Sequence, residues 1–217
     1  MTTFFPVMEN LNFQKAFNFD LSLSRILTGL NYSSNFSNNL VKKTTSFVGS
    51  IDSIPLSDNS VDIAWTSHSL EPNRGKEKDL LNELLRITRK KIILFEPSYE
   101  RSNLICKKRM DEMGYIKNLE KTINESDGNL LSIEEIKYPV NPLNPTYAYV
   151  IEKIHKKNTT ISKANFFTLP KSNIALDLER IDCLLSTKAL IGFPKIKNIP
   201  LLKDDHSFTM TYPELLK

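Results

Sequence analysis

Between Ser60 and Pro97 the chain passes from a strand pattern through an amphipathic helix into an almost continuous apolar strand. "SVDIAWTSHS" (60–69) reads as the first strand, "KEKDLLNELLRITRK" (76–90) has apolar residues at helical spacing, and "KIILFEP" (91–97) is apolar at nearly every position. A strand that is apolar throughout expects cover on both faces, and a parallel sheet with crossover helices supplies it. The same alternation occurs upstream: "KAFNFD" (15–20) predicts a strand, "LSRILTGLNYS" (23–33) a helix, and "TTSFVGS" (44–50) a second strand reached through "NNLVKK". Downstream, a helical stretch from about 101 to 126 is broken near Gly114. "LLSIEEIKYPV" (130–140) and "TYAYVIEKIH" (146–155) then predict two strands joined by the turn-rich "NPLNP", hence an antiparallel edge. The expected class is α/β, with a Rossmann-like, mostly parallel sheet.

A polar segment, "KKNTTISK" (156–163), reads as a linker between a domain over 1–155 and a short, proline-punctuated, β-rich module over 164–217. At 217 residues the chain can bury one sizeable core with a small appendage. Its net charge of +4, from 29 basic and 25 acidic residues, permits nucleic acid without suggesting it. Cys106 and Cys183 stand far apart with no CxxC spacing, which fits a reducing compartment and indicates neither a disulfide framework nor a metal site. No run of about 18 apolar residues occurs, and "MTTFFPVMENLNF" lacks the basic region and long apolar core of a signal peptide. The default expectation is cytoplasmic.

The order "FNFDLSLSR", "GSIDSIPLSDNSVDIAWTSHSLE", "LLRITRKKIILFEP" resembles the class I S-adenosylmethionine-dependent methyltransferases, in particular the methyltransferase type 11-like branch with a small Trm112-like module after the catalytic domain. The phrase at 53–71 carries most of it: an Ile-Pro turn, Asp-Asn-Ser, an apolar strand opening on Asp, then Ser-His and Leu-Glu. The resemblance implies S-adenosylmethionine as cofactor. Asp20 would hold the ribose hydroxyls, for which a carboxylate accepting from a vicinal diol is suited, with Leu21 beside it. Ser50 and Ile51 would meet the adenine, and Thr66 and Ser67 the methionine part. Glu96 and Glu100 would stand where the substrate pocket opens. Relatives weakly imply a small-molecule, sugar or glycan-precursor acceptor.

Four departures accompany the likeness. The acidic-x-Gly-x-Gly loop that ends the family's first strand is absent, since none of the six glycines precedes Asp20, and the chain starts as if inside the helix after that loop. A start upstream or a lost first strand would explain this, and the second leaves a sheet edge for a homo-oligomer or another partner to cover. Ser50 stands where relatives have Asp, and Pro72 where many have His. Aligned on "GFPKIKNIPLL", the module places Leu169, Ser172, Ser186 and Ala189 at the four zinc-cysteine positions, so no metal is expected.

Each residue also has a plainer reading. Asp20 could cap the helix that follows. His68 could be a general base, a pocket-lining residue or structural. Glu96 could simply end its strand, and Arg101 and Arg109 could be solvated surface. Two functions from different classes remain: methyl transfer to a small molecule or sugar, and a degenerate, non-catalytic relative that survives as a binding or partner subunit.

Overall fold

The structure is a computed structural model and describes residues 3–139, 141–154 and 166–211. The proposed linker at 156–163 lies outside the described residues. By their contacts the residues form two units, one combining Met1–Leu56 with Ala164–Lys217, the other running Ser57–Lys163. This grouping differs from a division at the linker, because the last quarter of the chain packs with the first.

In the first unit, α1 (Phe4–Glu9) precedes β1 (Ala16–Asp20), α2 (Leu23–Ser33), α3 (Asn38–Lys43) and β2 (Thr44–Val48). β1 and β2 pair in parallel, with Ala16 opposite Thr44 and Asp20 opposite Val48. Ser22 caps α2, its side chain accepting from the Arg25 amide, and Ser37 caps α3 in the same way at Leu40. The short helix α3 occupies "NNLVKK", which sequence periodicity left as a connection; at six residues it offers too few turns for a pattern to register.

The module in this unit is an antiparallel sheet built from β7 (Leu178–Glu179), β8 (Cys183–Ser186), β9 (Ile191–Ile196), β10 (Ile199–Pro200) and β11 (Phe208–Thr209). Gly192 on β9 admits the Phe208 ring, because a Cβ there would lie 2.4 Å from it. The module extends the first unit through its backbone as well as its side chains. The Leu202 amide donates to the Val48 carbonyl at 2.7 Å, and Ile26, Val48, Ile199 and Leu201 form one buried cluster. Leu56 bridges Phe167 in the same manner. Two turns in the module are closed by the Ser172 amide donating to the Leu169 carbonyl and by the Ala189 amide donating to the Ser186 hydroxyl. Among the described residues no cluster of His, Cys, Asp and Glu is placed to hold a metal.

The second unit holds β3 (Val61–Ser67), α4 (Glu77–Ile87), β4 (Thr88–Pro97), α5 (Leu104–Glu112), α6 (Leu119–Asn124), β5 (Gly128–Glu135) and β6 (Thr146–Lys153), with strand order β3-β4-β6-β5. β3 and β4 are parallel, joined by the crossover helix α4, while β6 runs antiparallel to both β4 and β5. The α/β class and the antiparallel edge are as expected. The parallel pairs, however, lie in separate sheets: among the described residues β1 pairs only with β2, and β3 only with β4.

Helix α4 buries Leu80, Leu81, Leu84, Leu85 and Ile87, and β4 buries Ile92 and Leu94 completely. The helix ends at Ile87, three residues before the periodicity suggests. Thr88 turns extended, and the Lys153 ammonium closes the helix end by donating to the Leu85 and Thr88 carbonyls and to Asn59. Arg89 and Lys90 thus begin the strand, where both pair with Asp62 on β3.

Ile26→Ala should lower the stability of the chain by about 3 kcal/mol, since it empties the centre of the cluster that joins α2, β2 and the module. Leu104→Ala, on a side chain 85% exposed, should leave the urea midpoint unchanged. Equal midpoints for the two variants would show that this cluster does not hold the module.

Candidate functional site

The carboxyl ends of parallel strands are where open α/β sheets bind ligands. In the first unit this end is formed by Asp20 on β1 and by the segment after β2, and the Gly49 amide donates to the Asp20 carbonyl at 3.1 Å. Asp20 Oδ1 accepts from the Ser22 amide at 2.9 Å and so shapes the entry to α2. Its Oδ2 has only the exposed Arg25 guanidinium, 3.8 Å away, among the described residues. The carboxylate therefore organises the turn and keeps acceptor capacity for a ligand. Leu21 is exposed, while Ser50 and Ile51 are half-buried in a turn closed by the Ser53 amide on the Ser50 carbonyl. Parallel register thus gathers Asp20, Ser50 and Ile51 at one sheet end.

Thr66 and Ser67 end β3 in the second unit. Thr66 is buried, and its hydroxyl donates to Glu96 at 2.9 Å. Ser67 is half-buried at the same end.

Glu96 has no exposed surface. Its Oε1 accepts from the Thr66 hydroxyl and from the Ser69 and Leu70 amides, and its Oε2 accepts from the Glu71 amide at 3.2 Å. Rather than facing a substrate, this carboxylate binds the turn that follows β3. Burial pushes its pKa up to about 7, against the lowering effect of those donors, and the Glu71 charge adds to the rise. Glu100 is exposed and accepts from the Asn118 amide at 2.6 Å, at the start of α6.

The turn held by Glu96 carries His68 in the left-handed region, at a φ of 53°, with its amide donating to the Phe95 carbonyl. The His68 Nδ1 lies 2.7 Å from Glu71 Oε2. Glu71 Oε2 also accepts from Asn144 Nδ2 at 3.1 Å, and His68 Nε2 lies 3.3 Å from the Thr146 hydroxyl. Antiparallel pairing brings this about, because Pro97 at the end of β4 faces Thr146 at the start of β6. His68, Glu71, Arg109, Tyr115, Asn141, Asn144 and Thr146 line a cleft of about 280 Å³.

The hydrogen bond to Glu71 raises the His68 pKa, partly opposed by burial. Burial alone would raise Glu71, but His68, Asn144 and Tyr115 together hold it below the usual carboxylate range. With Glu71 accepting from Nδ1–H, Nε2 of the neutral ring is the unprotonated nitrogen, beside the Thr146 hydroxyl, and can take a proton.

Of the residues singled out from sequence, His68 and Arg109 line this cleft. Glu71 and Asn144 were not foreseen as partners of His68. The His-x-x-Glu spacing in "SHSLE" was a readable sign of one pairing, whereas Asn144 arrives 76 residues later in sequence through strand pairing alone.

The fold is that of the class I S-adenosylmethionine-dependent methyltransferases. No family model and no curated protein matches the chain. Among solved structures, a SAM-dependent methyltransferase from Methanosarcina mazei aligns over 70% of this chain and 98% of its own, at 13% identity and a TM-score of 0.52. The cyclase SpnF aligns over 68% of this chain and 70% of its own, at 10% identity and a TM-score of 0.52. A candidate sarcosine dimethylglycine methyltransferase from Galdieria sulphuraria gives 64%, 69%, 10% and 0.50 for the same quantities. At such identities the likeness is one of fold.

Two pH-dependent outcomes follow. Glu71→Gln should lower the His68 titration midpoint followed by proton NMR, because the main support of the imidazolium is removed. In the native chain the stability from charged His68 is complete below about pH 6.5 and is lost as pH rises through the raised folded-state value. Glu96 acts over an overlapping window: the folded chain retains a proton that the unfolded chain releases between the ordinary 4.5 and about 7, so stability falls as pH rises through it. That fall should be about 3 kcal/mol in the native chain and absent in Glu96→Gln, measured by urea unfolding at the two ends of the window. A Glu96→Gln profile as steep as the native one would assign the dependence to other groups.

Proposed function

We propose that the chain is an S-adenosylmethionine-dependent methyltransferase acting on a small molecule or a sugar or glycan precursor. The observation that carries this reading is Asp20, a carboxylate at the carboxyl end of a parallel strand with one oxygen fixed by the turn and the other open. The fold shared with methyltransferases supports it, although SpnF, a cyclase with a similar chain path, is a reminder that fold does not fix reaction.

The residues present suit the cofactor in part. Asp20 would accept from the ribose, with Leu21 alongside, and half-buried Ile51 would pack on the adenine while Ser50 supplies a weaker acceptor than a carboxylate. Ser67 and the Thr66 backbone would serve the methionine part, since the Thr66 hydroxyl is committed to Glu96. The chemistry S-adenosylmethionine supplies when bound is an electrophilic methyl group for a nucleophile. This chain's own contribution would be orientation of the acceptor in the cleft and, at His68 Nε2, uptake of the acceptor's proton, with Glu71 stabilising the imidazolium. His68 is the proposed catalytic residue. Glu96 is a positioning residue that sets the turn bearing His68, and Glu100 fixes α6 instead of meeting substrate.

A second reading, a non-catalytic binding or partner subunit, is favoured by one feature: among the described residues β1 and β3 each leave one side without a strand. A second copy or another protein would cover such an edge.

Calorimetric titration with S-adenosylhomocysteine separates the two. Micromolar binding is expected, weakened about 10- to 100-fold in Asp20→Ala, in keeping with loss of a charge-assisted hydrogen bond. Absence of heat at millimolar ligand would remove the methyltransferase reading.

A further inference from the structure

Two residues that line the cleft in the second unit each carry a buried polar atom for which no described residue is a partner, and the two are of opposite kind: the Arg109 Nη1 donor and the Asn144 Oδ1 acceptor. Asn144 is only 8% exposed. Its orientation is not free, because Nδ2 must face the Glu71 carboxylate, where Oδ1 would set acceptor against acceptor. Oδ1 is thereby fixed as an acceptor that needs a donor. Arg109 lies with its Cζ 5.4 Å from the Tyr115 ring centroid, a contact that holds the guanidinium plane while leaving Nη1 without an acceptor. A donor and an acceptor left unmatched in one cleft each cost free energy that a complementary ligand would recover. The guanidinium is matched by a carboxylate, which can take two parallel hydrogen bonds. The Asn144 oxygen is matched by a hydroxyl or ammonium, and the Glu71 carboxylate beside it favours the same partner. The volume of about 280 Å³ is small for a ligand pocket and selects a short molecule.

We infer that this cleft binds a small carboxylic acid bearing a hydroxyl or amino group next to the acid, with the carboxylate on Arg109 and the neighbouring donor on Asn144. In making that molecule the methyl acceptor the inference rests on the function proposed above, but its binding does not require the cofactor. His68, at the cleft wall, lies beside the donor-bearing position because its Nδ1 and Asn144 Nδ2 are 3.4 Å apart.

The experiment is a titration of the cofactor-free chain with lactate, alanine, propionate and inorganic phosphate, followed by the His68 ring signals in proton–carbon NMR. Lactate or alanine should shift those signals saturably in the millimolar range, the stronger of the two identifying hydroxyl or ammonium as the donor. Propionate, which lacks the donor, should bind at least about 10-fold more weakly. Arg109→Met should abolish the shift and Arg109→Lys should retain part of it, while both keep the native amide spectrum. Propionate as strong as lactate and alanine, phosphate stronger than either, binding unchanged in Arg109→Met, or no saturable shift with any probe would each overturn the inference. S-adenosylhomocysteine binding by the same samples reports on the methyltransferase reading separately. Cofactor binding without acid binding would sink this inference alone, and acid binding without cofactor binding would sink only the assignment of the acid as methyl acceptor.

Discussion

The second unit depends on a carboxylate that solvent does not reach. Glu96 sits at the end of β4 and draws in one hydroxyl and three consecutive backbone amides. Those donors belong to the end of β3 and the turn after it, so the arrangement ties two parallel strands together at the point where their hydrogen-bond ladder stops. A turn with three amides pointing one way needs an anion or a ring of acceptors, and Glu96 is the acceptor within reach. The cost appears in its pKa, which burial drives to about 7 despite every donor. What the fold gains is position: with the amides of Ser69 to Glu71 fixed, His68 is held left-handed and its ring is delivered to Glu71 and Thr146. A glutamate that looks, in sequence, like a group for substrate is instead what makes the neighbouring histidine available.

The first unit is organised on a different basis. Its parallel pair is small, and one buried cluster of aliphatic side chains carries the join between its two chain segments. Val48 contributes twice, by its side chain to that cluster and by its carbonyl to Leu202. Phe17, Phe47 and Phe167 add edge-to-face ring contacts on the same strands. The module is thereby joined to the rest of its unit by apolar packing and backbone pairing, and two of its turns keep their shape through backbone and serine hydrogen bonds.

How much of this was readable in the chain depended on how local its cause is. The helix at Leu23–Ser33 was legible to the residue, because its apolar residues recur at helical spacing within it. The strands around Ile92 and Tyr149 were legible from apolar runs, and so was their antiparallel edge. The end of α4 was not, since it is set by the Lys153 ammonium, 66 residues beyond Ile87 in sequence numbering. Nor was the grouping of the last quarter of the chain with the first, which rests on Leu202 finding Val48. In the cleft, His68 was singled out from its own neighbourhood, but Asn144 and Arg109 reach it through sheet pairing and a helix, and no short pattern marks either.

Asp20 and His68 show how two plain readings and two sharp ones can share the same atoms. Asp20 does not cap α2, which Ser22 does, but its Oδ1 accepts from the Ser22 amide and so shapes the turn before the helix. That turn uses one oxygen, though, and a carboxylate has two, so structural duty at one leaves ligand duty open at the other. His68 likewise belongs to a structural turn through its backbone while its ring faces a cleft lined by two residues, Arg109 and Asn144, that each keep one polar atom unmatched among the described residues. In both cases the structural contact orients the group and leaves its chemically active side turned outward. Preorganisation of that kind is what a site requires whichever molecule it takes, because a group already held in place loses little further freedom on binding.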